Sequence, residues 1–156
     1  MPNDHRQPRP QQSQRPQQRE GNAAPAPQFT NIKFAKPLDP ELFNSLALSA
    51  AKNVSSGNRD RNKSTQLRRF YDELVAWESR VNHNQQPGRF DEYLPFIRML
   101  NAKAAYAEGR KLVDRTFVSL LQHTLGEVKD PETLTACKLF WEAFMGFYKQ
   151  ERPGND

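Results

Sequence analysis

The chain has 156 residues, 36% of them hydrophobic, and carries a formal net charge of +5. That length accommodates one domain of ordinary size and a tail, while the basic balance favours acidic partners without choosing among them. A single cysteine, Cys137, excludes an internal disulfide framework and fits a reducing, cytoplasmic setting, and the absence of a long apolar run predicts neither a membrane span nor a secretory signal.

Residues 1–28 are dominated by Pro, Gln and Arg, and the first large apolar side chain after Met1 is Phe29. Such a segment buries too little surface to offset the entropy of ordering it. Residues 1–36 therefore read as a disordered, basic, low-complexity tail, either a solubilising arm or a loose electrostatic tether. Phe29, Ile32 and Phe34 alternate with polar neighbours in a short extended stretch, which lies on the domain's own core or on a partner.

Residues 37–151 read as an all-α compact bundle of about five helices. Asp39 and Pro40 supply an N-cap and an N1 proline for a first helix through Leu42, Leu46, Ala50 and Val54, closed by Gly57 and Asn58. Ser64 or Thr65 caps the second, whose stripe of Leu67, Phe70, Tyr71, Leu74, Trp77 and Val81 has amphipathic spacing. Residues 82–88 form a loop containing His83 and punctuated by Pro87 and Gly88. A third helix starts near Tyr93 with Pro95 in its first turn and Phe96, Ile97, Leu100, Ala104 and Ala107 on its core face. A fourth, with Val113, Phe117, Leu120, Leu121 and Val128, follows Gly109 with little or no break. Asp130, Pro131 and Glu132 open the fifth. That last helix is apolar around most of its circumference, so it is either the centre of the bundle or partly reserved for another subunit.

The chemistry of catalysis is missing. His5, His83 and His123 have no second ligand at metal-binding spacing, and Cys137 falls on an apolar stripe where a thiol is a packing group. Neither a phosphate loop nor a nucleophile elbow occurs. The sequence therefore points away from an enzyme, a metal site or a cofactor.

Cations are the more informative feature. Residues 59–69 contain Arg59, Arg61, Lys63, Arg68 and Arg69 against the lone acid Asp60, gathered where a helix begins. Cations there oppose the helix dipole, whereas an anion would be held by dipole and cations together. Pairing Arg68 with Asp72 and Arg69 with Glu73 contributes only about 0.2–0.5 kcal/mol per pair, too little to explain the arrangement. On the third helix Lys103, Tyr106 and Arg110 share a face, two cations flanking a ring, which suits a phosphate strand and a stacked base.

Three blocks carry a family resemblance. Residues 62–74, NKSTQLRRFYDEL, are similar to a helix start of the Csm small-subunit family from type III-A CRISPR interference complexes. Residues 94–110, LPFIRMLNAKAAYAEGR, resemble its Leu-Pro and Lys-Ala-Tyr-Ala segment, although Asn101 stands where a lysine is common. Residues 140–149, FWEAFMGFYK, resemble its closing helix. The resemblance implies a non-catalytic small subunit that helps build the helical effector filament beside other Csm subunits and neighbouring copies of itself. It implies sequence-independent contact with the backbone of a crRNA–target RNA duplex through Lys63, Arg68, Arg69, Lys103 and Arg110, with Lys52 and Arg59 as weaker candidates; the helix-face reading adds Tyr106. The alternative is a helical protein–protein adaptor that uses its aromatic C-terminal helix.

Overall fold

The computed structural model describes residues 29–154, and the expectation for residues 1–28 lies outside that span. Six helices follow in order: α1 Ser45–Ser55, α2 Ser64–His83, α3 Arg89–Arg98, α4 Leu100–Gly109, α5 Arg115–Gly126 and α6 Pro131–Glu151. There is no strand among the described residues, so the all-α reading holds.

α6 is the central element. It packs along α1 and α2, while α5 lies against α4 and α1 and α3 bridges α2, α4 and α5. Its aromatic side chains explain the apolar circumference: Phe140, Trp141, Phe144 and Tyr148 are all buried. Trp141 meets Phe144 edge-on at 4.8 Å and Phe117 of α5 at 5.8 Å, and Phe117 in turn meets Phe70 of α2 at 5.2 Å. The indole Nε1 donates to Thr124 Oγ1 at 3.1 Å, so the polar edge of this buried ring has a partner. Four of the aromatic side chains that the adaptor alternative would present are thus inside the bundle, while Phe147 is half-buried and Leu139 exposed.

Phe29, Ile32 and Phe34 settle the question of the extended stretch. All three are buried, Phe34 packs 6.0 Å from the Phe140 ring, and His123 Nε2 donates to the Ile32 carbonyl at 2.7 Å. Residues 29–36, assigned to the tail from composition, are therefore anchored on the domain at least as far as Phe34. Three large apolar side chains in six residues outweigh the polar composition around them.

Several helix boundaries differ from expectation, each for a local reason. The Asp39–Pro40 signal opens a turn, with Asp39 Oδ1 accepting from the Glu41 N–H at 2.8 Å. α1 starts later because the Glu41 carboxylate accepts from the Ser45 N–H at 3.3 Å and from Asn44 Nδ2 at 3.1 Å. Those bonds, Ser45 foremost, hold the Glu41 carboxyl below its ordinary value. The predicted third helix is two, since Pro95 cannot donate to the preceding turn and sits inside α3 just before the junction at Met99. α5 does not continue from Gly109. Its start is set by Asp114, whose carboxylate accepts from the Phe117 N–H at 3.0 Å. α6 begins as expected, reinforced by a reciprocal capping box between Asp130 and Thr133. His83 is the last residue of α2 rather than part of a loop.

Candidate nucleic-acid interface

The cation-rich segment before α2 is held by a buried knot. Asn62 adopts φ 56°, a left-handed conformation that asparagine tolerates better than most residues. Its backbone N–H donates to the Leu112 carbonyl at 2.9 Å, its Oδ1 accepts from the Asp114 N–H at 2.9 Å, and its carbonyl accepts from the Tyr148 hydroxyl. Burial pushes that phenol up to about 12. Arg152, only 3% exposed, donates to the carbonyls of Ser55, Gly57, Asn58 and Arg61 at 2.8–3.3 Å. The carbonyl at the end of α1 and three of the following loop thus converge on one guanidinium, which fixes the loop that carries Arg59 and leads into Lys63.

Lys63 is the N-cap of α2, with no side-chain cap hydrogen bond. Ser64 and Thr65, expected as caps, are the first two helical residues, and the next N–H groups, Gln66 and Leu67, both bond the Lys63 carbonyl. From this start α2 runs antiparallel to the α3–α4 pair. Arg69, Phe70 and Glu73 of α2 and Lys103, Tyr106 and Arg110 around α4 line one shallow groove of about 220 Å³. Lys103 Nζ lies 2.7 Å from Glu73 Oε2, and the Arg110 guanidinium lies 5.7 Å from the Tyr106 ring centre. Tyr106 is 69% exposed, far more than a tyrosine kept for packing requires.

The neighbouring arginines diverge. Arg68 lines the opposite flank of α2, in a groove of about 450 Å³ shared with Tyr71, Glu142, Met145 and Lys149, and its guanidinium stands 3.8 Å from Asp72. Of the residues singled out from sequence, Arg69, Lys103, Tyr106 and Arg110 are brought together. Arg68 is not among them and lines the separate groove between α2 and α6. Lys52, Arg59 and Lys63 are exposed and line neither groove.

Electrostatics favour an anion in the α2–α4 groove. Arg69 and Arg110 form no ion pair among the described residues, so their charge faces solvent. The Lys103–Glu73 pair is solvent-accessible on both sides and holds with no more than about 1 kcal/mol, which a phosphate can displace. Glu73 was expected to pair with Arg69 on its own helix. It turns instead to α4, a contact that helical spacing cannot reveal.

The other candidate chemistry stays unsupported. No cluster of three metal-ligating groups exists among the described residues, burial pushes the Cys137 thiol well above its ordinary value, and no described helix is long and apolar enough to cross a membrane. The residues that composition gave no reason to choose are Asn62, Tyr148 and Arg152. The only sequence signal for them is an arginine four residues after a tyrosine in the last helix.

Comparison with known proteins returns one family. The model for Csm2 Type III-A matches residues 39–153. No curated protein and no solved structure matches the chain.

Proposed function

Starting from the chain's membership of the Csm2 Type III-A family, we propose that this small subunit holds RNA by its sugar–phosphate backbone within a type III-A Csm complex. The strand lies in the α2–α4 groove, with phosphates against Arg69, Lys103 and Arg110 and with Tyr106 available to a base. Contacts of this kind carry no sequence information, as a subunit that must accept any target requires. The subunit contributes position and charge rather than chemistry, and it works in the cytoplasm beside other Csm subunits and neighbouring copies of itself.

The observation that carries this reading is the convergence of three cations from two helices around an exposed tyrosine. Lys52, Arg59, Lys63 and Arg68 extend the basic surface outside the groove and make weaker, longer-range contributions. The knot at Asn62 and Arg152 supports the interface by fixing the start of α2, so that binding orders the Arg69 side chain but not the backbone that carries it.

Titration of single-stranded RNA with the purified chain over a series of salt concentrations tests this. Each phosphate contact on a single strand contributes about 0.7 to the log–log slope, so Lys103→Ala with Arg110→Ala flattens it by about 1.4. An unchanged slope in a folded double variant contradicts the reading.

A further inference from the structure

Beyond Lys103 the seam between α2 and the α3–α4 pair continues and changes character. Its rungs run antiparallel: Arg69 and Arg110 share the groove, Glu73 meets Lys103, and Trp77 meets Phe96. On the α3–α4 side Phe96, Met99, Lys103, Tyr106 and Arg110 recur at alternating three- and four-residue steps. The Met99 N–H still bonds the Pro95 carbonyl at 3.1 Å across the junction, so this spacing keeps one helical face.

Phe96 is 55% exposed and its ring lies within 18° of parallel to Trp77, centroids 6.2 Å apart. Tyr93 packs against the same indole at 5.9 Å, and the Arg80 guanidinium lies 4.5 Å from the Trp77 ring centre. An aromatic ring propped from behind, exposed in front and flanked by a cation is the arrangement that receives a base with its phosphate. Charge selects the occupant: Arg69, Arg80, Lys103 and Arg110 border the seam, and Glu73 is its internal acid.

We infer that Trp77, Arg80 and Phe96 form a base-stacking platform for single-stranded RNA, with a base on the outer face of Phe96 and its phosphate toward Arg80. This rests on the backbone-holding role proposed above and extends it from a phosphate grip to a two-point track, Tyr106 being the other aromatic point. Arg69 and Arg80 are eleven residues apart on one helix, roughly 16 Å at 1.5 Å per residue. That distance accommodates roughly four or five nucleotides of a stacked strand at about 3.4 Å each.

The test compares a mixed-sequence RNA with an abasic ribose–phosphate oligomer of equal length, both titrated against the full chain. The RNA binds more tightly than the abasic strand. Phe96→Ala weakens RNA binding about 5- to 10-fold, leaves the abasic strand's affinity and the salt slope unchanged, and Phe96→Tyr restores the loss. Equal RNA affinity in Phe96→Ala and the parent overturns the platform, and loss of self-association in sedimentation at unchanged RNA affinity assigns the patch to a neighbouring copy instead. Failure of the earlier reading looks different: the slope then ignores Lys103→Ala and Arg110→Ala whatever Phe96 does.

Discussion

Tyr106 on α4 and Arg110 just beyond it stand four residues apart, as do Tyr148 on α6 and Arg152 just beyond it, and the guanidinium carbons lie 5.7 and 5.9 Å from their ring centres. Chemistry and spacing are the same; surroundings are opposite. Arg152 is buried and consumed by four backbone carbonyls, and Tyr148 has its hydroxyl committed to Asn62. Arg110 and Tyr106 are exposed, with Lys103 and Arg69 for company and no ion pair on Arg110 among the described residues. A cation beside a ring is therefore a strut where acceptors surround it and stays available to a ligand where solvent does.

The contrast sharpens first at Arg152. Arg152→Ala leaves several part-buried carbonyls without this donor, and hydrogen bonds to a charged group carry about 1.5–3 kcal/mol, so urea unfolding is expected to lose about 3 kcal/mol. A loss below about 1 kcal/mol breaks the comparison. Asn62→Ala removes the acceptor for the Asp114 N–H and puts a residue less tolerant than asparagine in the left-handed region, for an expected loss of about 2 kcal/mol by the same measurement.

Tyr148→Phe costs about 1 kcal/mol near neutral pH, the worth of one hydrogen bond. Its alkaline behaviour is more diagnostic. Burial raises the folded phenol from 10.0 to about 12, so the unfolded chain loses the proton first. Stability is therefore full below the unfolded value and falls as pH rises through the interval up to about 12. The Phe variant loses that part of the decline, which chemical denaturation across the alkaline range detects. Arg110→Ala sits at the other extreme: a change within about 0.5 kcal/mol in stability together with weaker, less salt-sensitive RNA binding. A large loss of stability there makes the two pairs alike and removes the contrast.

Helical class, the α6 start and the Lys103–Tyr106–Arg110 face were legible because each rests on local spacing or a local cap. Asp114 was equally local and carried the cap signal for α5, yet Gly109 drew attention to the wrong break. What could not be read depends on which elements meet. Arg68 and Arg69 are adjacent in sequence but line opposite flanks of α2, and only the positions of α4 and α6 decide which one joins Lys103. Glu73 turns to α4 for the same reason. Composition misled at residues 29–34, where a few large apolar side chains anchor a polar segment.

The location of the strand is the central claim, and photo-crosslinking addresses it most directly. RNA carrying 4-thiouridine is bound to the full chain, irradiated, digested and mapped by mass spectrometry. Crosslinks are expected on the peptides of α2 and α4 that border Arg69, Tyr106 and Arg110. Crosslinks confined to α1 or to the outer side of α6, with the α2–α4 seam unmarked, contradict the account.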